Sequence, residues 1–167
     1  RFRGLRRLRL RTVAVRGSLR PVAPGSARTT PAVSVLMPVR DGMPFLTDAL
    51  DSLAAQTTLD FEMIAVDDGS TDGSAVALRE WADSTGLDLC LLATAPRGVS
   101  AALQTGLEHA RAPLIARMDA DDWAHQTRFE LQIAAFHQTL DLVLCGSNTT
   151  HVDEQMRPLF HTVLPTS

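Results

Sequence analysis

Asp119-Ala120-Asp121-Asp122 packs three carboxylates into four residues, directly behind the apolar run Pro113-Leu114-Ile115-Ala116 and the pair Arg117-Met118. Carboxylates this close repel one another, so a fold keeps them where a cation or a positive helix end offsets their charge. A strand that ends in acids sets them at the carboxyl edge of a sheet, where open α/β folds bind ligands. The chemistry this suits is a magnesium or manganese ion held by Asp121, with Asp119 beside it, gripping a diphosphate. Such ions want one or two carboxylates and fill their other positions with water and phosphate oxygens. An exposed acidic loop capping a helix that begins near His125 accounts for the same spacing. Calcium does not. Asp119, Asp121 and Glu130 match the first, third and last positions of an EF-hand loop, but Ala124 stands where its glycine is needed and Trp123 cannot ligate.

Two further clusters have the same character. Pro38-Val39-Arg40-Asp41 and Asp67-Asp68-Gly69-Ser70 each follow an apolar run. A carboxylate such as Asp68 can accept a ring N–H of a pyrimidine base, while Gly69 lets the backbone turn closely beside it. Helix capping is the other task open to Asp68. Arg97-Gly98 precedes a helical pattern, so its backbone N–H groups and guanidinium could face a phosphate together.

The elements that must position these residues alternate along the chain. Val33-Ser34-Val35-Leu36-Met37 reads as a buried strand ended by Pro38, and Phe61 through Val66 as a second. Further strands are predicted over 87–93, 113–118 and 141–146. Helices are predicted over 44–56, from the caps of Thr71-Asp72-Gly73-Ser74 to about 84, over 98–111 and over 125–139. Leu46, Ala49, Leu50 and Leu53 mark the first core face, Val76, Leu78 and Trp81 the second, and Phe129, Ile133 and Phe136 the last. Residues 157–167 show no clear period. Alternating strands and helices with short connections imply an α/β fold, a mostly parallel sheet with helices on both faces. All three polar clusters then fall on one sheet edge.

Composition sets the limits. The 167 residues, 45% apolar, suit one domain, and no uninterrupted apolar stretch is long enough to span a membrane. Residues 1–31 carry nine arginines and no acid; residues 32–167 carry seven arginines and all nineteen acids, a balance of −12. Residues 1–31 are therefore expected to form a basic, disordered tail ending in a Pro/Gly/Ser/Thr-rich linker, a segment an anionic membrane surface would attract. The acidic remainder argues against nucleic acid as a partner. The chain contains no lysine, which removes Schiff-base, Walker and receiver-domain chemistry, and it has no GxGxxG fingerprint. Cys90 and Cys145 lie in apolar runs and are expected to be buried and inert.

Taken together, Val33-Ser34-Val35-Leu36-Met37-Pro38, the stretch Phe61–Val66 with Asp67-Asp68-Gly69-Ser70-Thr71-Asp72, Arg117-Met118-Asp119-Ala120-Asp121-Asp122, and Arg128-Phe129-Glu130-Leu131-Gln132 resemble family 2 glycosyltransferases of the GT-A fold, over about residues 33–160. The resemblance implies a Rossmann-like nucleotide-sugar-binding domain over 32–167 and inverting, metal-dependent sugar transfer to an acceptor hydroxyl, as in cell-envelope polysaccharide biosynthesis. It implies a UDP-sugar as donor and a cytoplasmic location, with peripheral association at the inner membrane face. It assigns Pro38, Asp41, Asp68, Arg97 and Asp119 to the nucleotide-sugar, and Asp121 with Asp119 to Mg2+ or Mn2+. An aromatic is common in the family where Arg40 stands, and asparagine where Asp41, Pro96 and Gln104 stand. The family's general base lies in an acceptor-binding half expected beyond Ser167, so no catalytic base is named. A truncated module that binds nucleotide-sugar without transfer is the alternative. Asp68 is expected to matter to binding more than to stability.

Overall fold

The computed structural model describes residues 14–16, 30–153 and 157–163. Four strands run parallel: β2 (Val33–Val39), β3 (Phe61–Asp67), β4 (Leu89–Ala93) and β5 (Leu114–Arg117), in spatial order β4-β3-β2-β5. Val35, Met37 and Val39 of β2 point to one face and Leu36 to the other, as the two-residue period of a strand requires. Both faces are covered, so the central strands need apolar residues at nearly every position. Helices α1 (Phe45–Ala54), α2 (Ser74–Thr85) and α4 (Arg128–Gln138) cover the first face with Leu46, Leu50, Leu53, Leu78, Trp81, Phe129 and Phe136. Helix α3 (Val99–His109) covers the second through Ala102. It lies so close that a Cβ on Gly106 would stand 3.3 Å from Val66 Cγ2.

The expected strands and helices are present, with several corrections. Val76, expected in the core, is 54% exposed, because at 100° per residue it stands on the opposite side of α2 from Leu78. The strand expected over 141–146 shortens to β6 (Leu144–Cys145) and does not extend the parallel sheet. The place beside β5 is taken by β1 (Ala14–Arg16), antiparallel to β5, and β6 pairs antiparallel to β1. The segment expected to be a disordered tail thus contributes a strand at 14–16; the rest of that expectation, and the linker up to residue 29, fall outside the described residues. Past β6, β7 (Thr149–Val152) and β8 (Pro158–Thr162) form a hairpin with a bulge between His151 and Val152, where no element was expected beyond 157. Cys90 and Cys145 are half-buried thiols that packing pushes up in pKa. Among the described residues no helix is long and apolar enough to cross a membrane.

At the amino edge of the sheet a carboxylate is buried. Glu62 on β3 is 3% exposed, accepts from Ser34 Oγ at 2.5 Å, and takes Arg111 twice, through its backbone N–H at 2.7 Å and its Nε at 2.5 Å. Ser34 Oγ in turn accepts from Ala112 N at 3.0 Å, and Arg111 Nη2 pairs with Asp88. The network ties the chain between α3 and β5 to the strands β2 and β3.

Candidate nucleotide-sugar site

The order of the parallel strands reverses at β2, which sends β3 and β4 to one side and β5 to the other; ligands of open α/β sheets bind at the carboxyl end of such a point. A cavity of about 470 Å³ opens there, lined by residues following β2 (Pro38, Val39, Arg40, Asp41, Gly42, Phe45), by Asp68 after β3, by Gly98, Val99 and Ala102 at the start of α3, and by Arg117, Asp119, Ala120 and Asp121 after β5. This volume is in the range of small-molecule sites, roughly 300–1,000 Å³.

The loops after β2 and β3 fasten each other. Asp41 Oδ1 accepts from Thr71 N at 2.8 Å, while Asp41 N donates to Ser70 Oγ at 3.0 Å. Gly42 N donates to Ser74 Oγ and Met43 N to Asp72 Oδ2. Asp41 holds φ +46°, a left-handed conformation that aspartate tolerates better than most residues. Its carboxylate is thus engaged in shaping the cavity wall. Gly69, at φ +80°, passes so near Pro96 that a Cβ would meet its Cγ at 2.7 Å.

Asp68 lies at the floor, 3% exposed. Its Oδ1 accepts from Arg97 N at 2.7 Å and, more weakly, from Thr94 Oγ1 at 3.4 Å; Oδ2 accepts from Gly98 N at 2.8 Å. The N–H of Arg97, that of Gly98 and the nearby Arg40 cation hold its pKa below the usual aspartate value, against the opposing pull of burial. Two expectations change here. The backbone N–H groups of Arg97 and Gly98, expected to face a phosphate, face Asp68 instead, and the Arg97 side chain is not part of the cavity lining. Asp68 also anchors the N-terminus of α3, so it acts on folding as well as on the cavity.

On the opposite wall, Arg117 grips Asp119 Oδ1 with Nε at 3.0 Å and Nη2 at 2.9 Å. Asp121 is exposed at the rim. Asp122 turns inward: it is 3% exposed, its Oδ1 has no hydrogen-bond partner among the described residues, and burial, then Asp119 and Asp121, push its pKa up to about 8. Buried Arg128, which donates from Nη2 to Arg117 O at 2.8 Å, is pushed down to about 10 by burial. The acids stand apart from the start of the next helix. Helix α4 begins only at Arg128, its N-cap Thr127 makes no side-chain cap bond, and Asp122 N closes a turn onto Asp119 O at 3.1 Å. Among the described residues no three metal-ligating side chains gather into a closed site. Two carboxylates on an open cavity wall fit an ion that takes its remaining ligands from water and phosphate, as Mg2+ and Mn2+ do.

The profile of Glycosyl transferase family 2 matches residues 34–161, which include every one of these cavity residues. The chain belongs to this family. It is 34% identical over 117 residues to the uncharacterized glycosyltransferase EpsJ of Bacillus subtilis (strain 168), covering 70% of this chain and 34% of the relative. A mannosyltransferase of Pyrobaculum calidifontis, solved with GDP-Man and Mn2+, superposes with TM-score 0.52 at 35% identity, over 56% of this chain and 28% of that one. Staphylococcus aureus TarS 1-349 with UDP-GlcNAc superposes with TM-score 0.59 at 24% identity, over 64% and 31%, a likeness of fold. The chain spans about a third of the length of the curated relative it matches.

Within this family 2 glycosyltransferase domain, the structure brings Pro38, Asp41, Asp68, Asp119 and Asp121 to one cavity and leaves the Arg97 side chain outside its lining. It adds Arg40 and Arg117, to which the sequence reading gave no role. Arg117 had a legible signal: it is the last residue of a strand whose other three are buried, at the edge where the acids emerge.

Proposed function

We propose that this domain binds a nucleotide-sugar, with uracil or guanine as its base, and serves transfer of the sugar to an acceptor hydroxyl with inversion. The observation that carries the reading is the meeting of Asp68, Asp119 and Asp121 in one cavity at the reversal of strand order. The solved relatives hold GDP-Man with Mn2+ and UDP-GlcNAc, which supports the same class of donor here. Asp68 accepts the ring N–H of the base, and Pro38 lines the nucleoside end. Asp119, steadied by Arg117, lies toward the ribose and sugar. Asp121, with Asp119, holds a divalent ion. When bound, that ion offsets the charge that builds on a departing diphosphate. The Arg117 guanidinium, 45% exposed at the same wall, adds positive charge there.

The test is calorimetry of UDP and GDP binding with manganese or with chelator. Metal and nucleotide that share Asp121 must each raise the other's affinity by the same factor. Asp121→Asn should remove most of that coupling and leave the thermal midpoint unchanged or slightly higher. Equal nucleotide affinity at saturating manganese and in chelator, in the unmutated chain, would sink the metal assignment. Release of free sugar, or transfer to added acceptors, separates a transferase from a module that only binds.

A further inference from the structure

We propose that Arg40 reads the nucleobase, and that together with Asp68 it selects bases with a ring N–H beside a carbonyl (uracil and guanine) over bases with a ring nitrogen beside an amino group (cytosine and adenine). The inference rests on the cavity reading above and goes further by giving the choice of base to a residue outside the acidic motifs. Arg40 Nη1 stands 3.8 Å from Asp68 Oδ2, too far for a hydrogen bond between them. Both side chains line the cavity, Arg40 at the rim with 54% of its side chain exposed and Asp68 at the floor with 4%. Oδ2 accepts only Gly98 N among the described residues, so it keeps an acceptor position toward the cavity. Floor and rim therefore offer an acceptor and a donor side by side.

A base entering with its ring edge down presents its ring N–H to Asp68 and its carbonyl oxygen to Arg40. Cytosine or adenine in the same pose points a ring lone pair at a carboxylate and an amino group at a guanidinium, two repulsions in place of two hydrogen bonds. Asp68 cannot shift to suit them, because Arg97 N, Gly98 N and Thr94 Oγ1 fix it. A site built around specific donors and acceptors discriminates mainly by leaving its own polar groups unpaired with the wrong ligand.

The experiment is calorimetry of the full 167-residue chain and of Arg40→Ala with UDP, GDP, CDP and ADP in manganese, with thermal midpoints to show that both are folded. The expected result is UDP or GDP binding about tenfold or more above CDP and ADP, with that ratio falling by about threefold or more in Arg40→Ala, where Asp68 alone still discriminates. The UDP and GDP arms also separate pyrimidine from purine. An unchanged ratio in Arg40→Ala or a uniform loss across all four diphosphates overturns the role of Arg40 and leaves the cavity reading standing; tightest binding of CDP or ADP overturns the role of Arg40 and the base assignment to Asp68 together. Failure of all four to bind overturns the cavity reading itself.

Discussion

Replacing Glu62 by alanine should destabilise the domain strongly while leaving the cavity at the carboxyl edge intact. The change removes a 3%-exposed carboxylate with three donors: Ser34 Oγ, Arg111 N and Arg111 Nε. Hydrogen bonds to a charged group contribute about 1.5–3 kcal/mol each. Part of that total is offset, because the buried carboxylate no longer has to be desolvated. Arg111 is also one-third exposed and keeps Asp88, so it is not stranded without a partner. Breaking one side of a buried pair costs about 3–5 kcal/mol, and the lower end, about 3, fits these offsets. In a chain of 167 residues, about 3–4 °C of midpoint per kcal/mol translates this into a fall of about 10 °C. Glu62→Gln, which keeps an acceptor for Ser34 and for Arg111 N, should lose about half as much. Five residue steps along β3 carry the chain from Glu62 to Asp67, about 17 Å, so UDP or GDP affinity measured well below the transition should stay within about twofold. A midpoint drop under about 3 °C, or a tenfold loss of affinity in folded protein, would refute the account of the network as a clamp remote from the site.

Other outcomes follow from the cavity. Asp68 has its pKa lowered on folding, so its contribution to stability is present above the ordinary aspartate range and is lost as pH falls through the folded value. Asp68→Asn should flatten the fall in thermal midpoint below about pH 4 and weaken nucleotide binding; an unchanged acid limb would contradict the anchoring of α3. Asp122 has the opposite sign: raised to about 8, its contribution is complete below the ordinary aspartate value and is lost as pH rises toward 8. In chelator, Asp122→Asn should flatten the decline in stability between about pH 4 and 8, read from denaturant midpoints; parallel curves for the two proteins would refute it. Gly69→Ala would drive a Cβ against Pro96 at a positive φ and should destabilise the domain by about 1–3 kcal/mol, also read by denaturant; a neutral result would mean that the loop yields.

Much of the domain was legible because its signals are local. The apolar runs at Val33 and Phe61 and the period of Leu46, Leu50 and Leu53 state their own elements, and acids at strand ends mark the ligand edge once the sheet is parallel. What escaped depends on pairings between distant residues. Nothing within residues 14–16 says that they will lie against β5, or that Leu144 will then pair with Val15. The hairpin of β7 and β8 carries mostly half-buried and exposed residues, so it lacks the apolar alternation that announces a strand. The backbone of Arg97 and Gly98 was illegible for a related reason. Its place before a helix suggested a phosphate, and only the fold reveals that a carboxylate on the neighbouring strand's loop already fills that helix end.

That filled helix end governs how this pocket could change its preference. Because Asp68 joins β3 to α3 as well as facing the cavity, a substitution there alters the framework and the ligand at once, and its effect on recognition cannot be separated from its effect on folding. Arg40 has no such second duty among the described residues: it stands at the rim with half its side chain in solvent and meets another element's charge only in its 3.8 Å approach to Asp68. On the proposed reading, variation in base preference has room at Arg40 and little at Asp68. Any attempt to redirect the domain to a different nucleotide would therefore start at the rim and leave the floor alone.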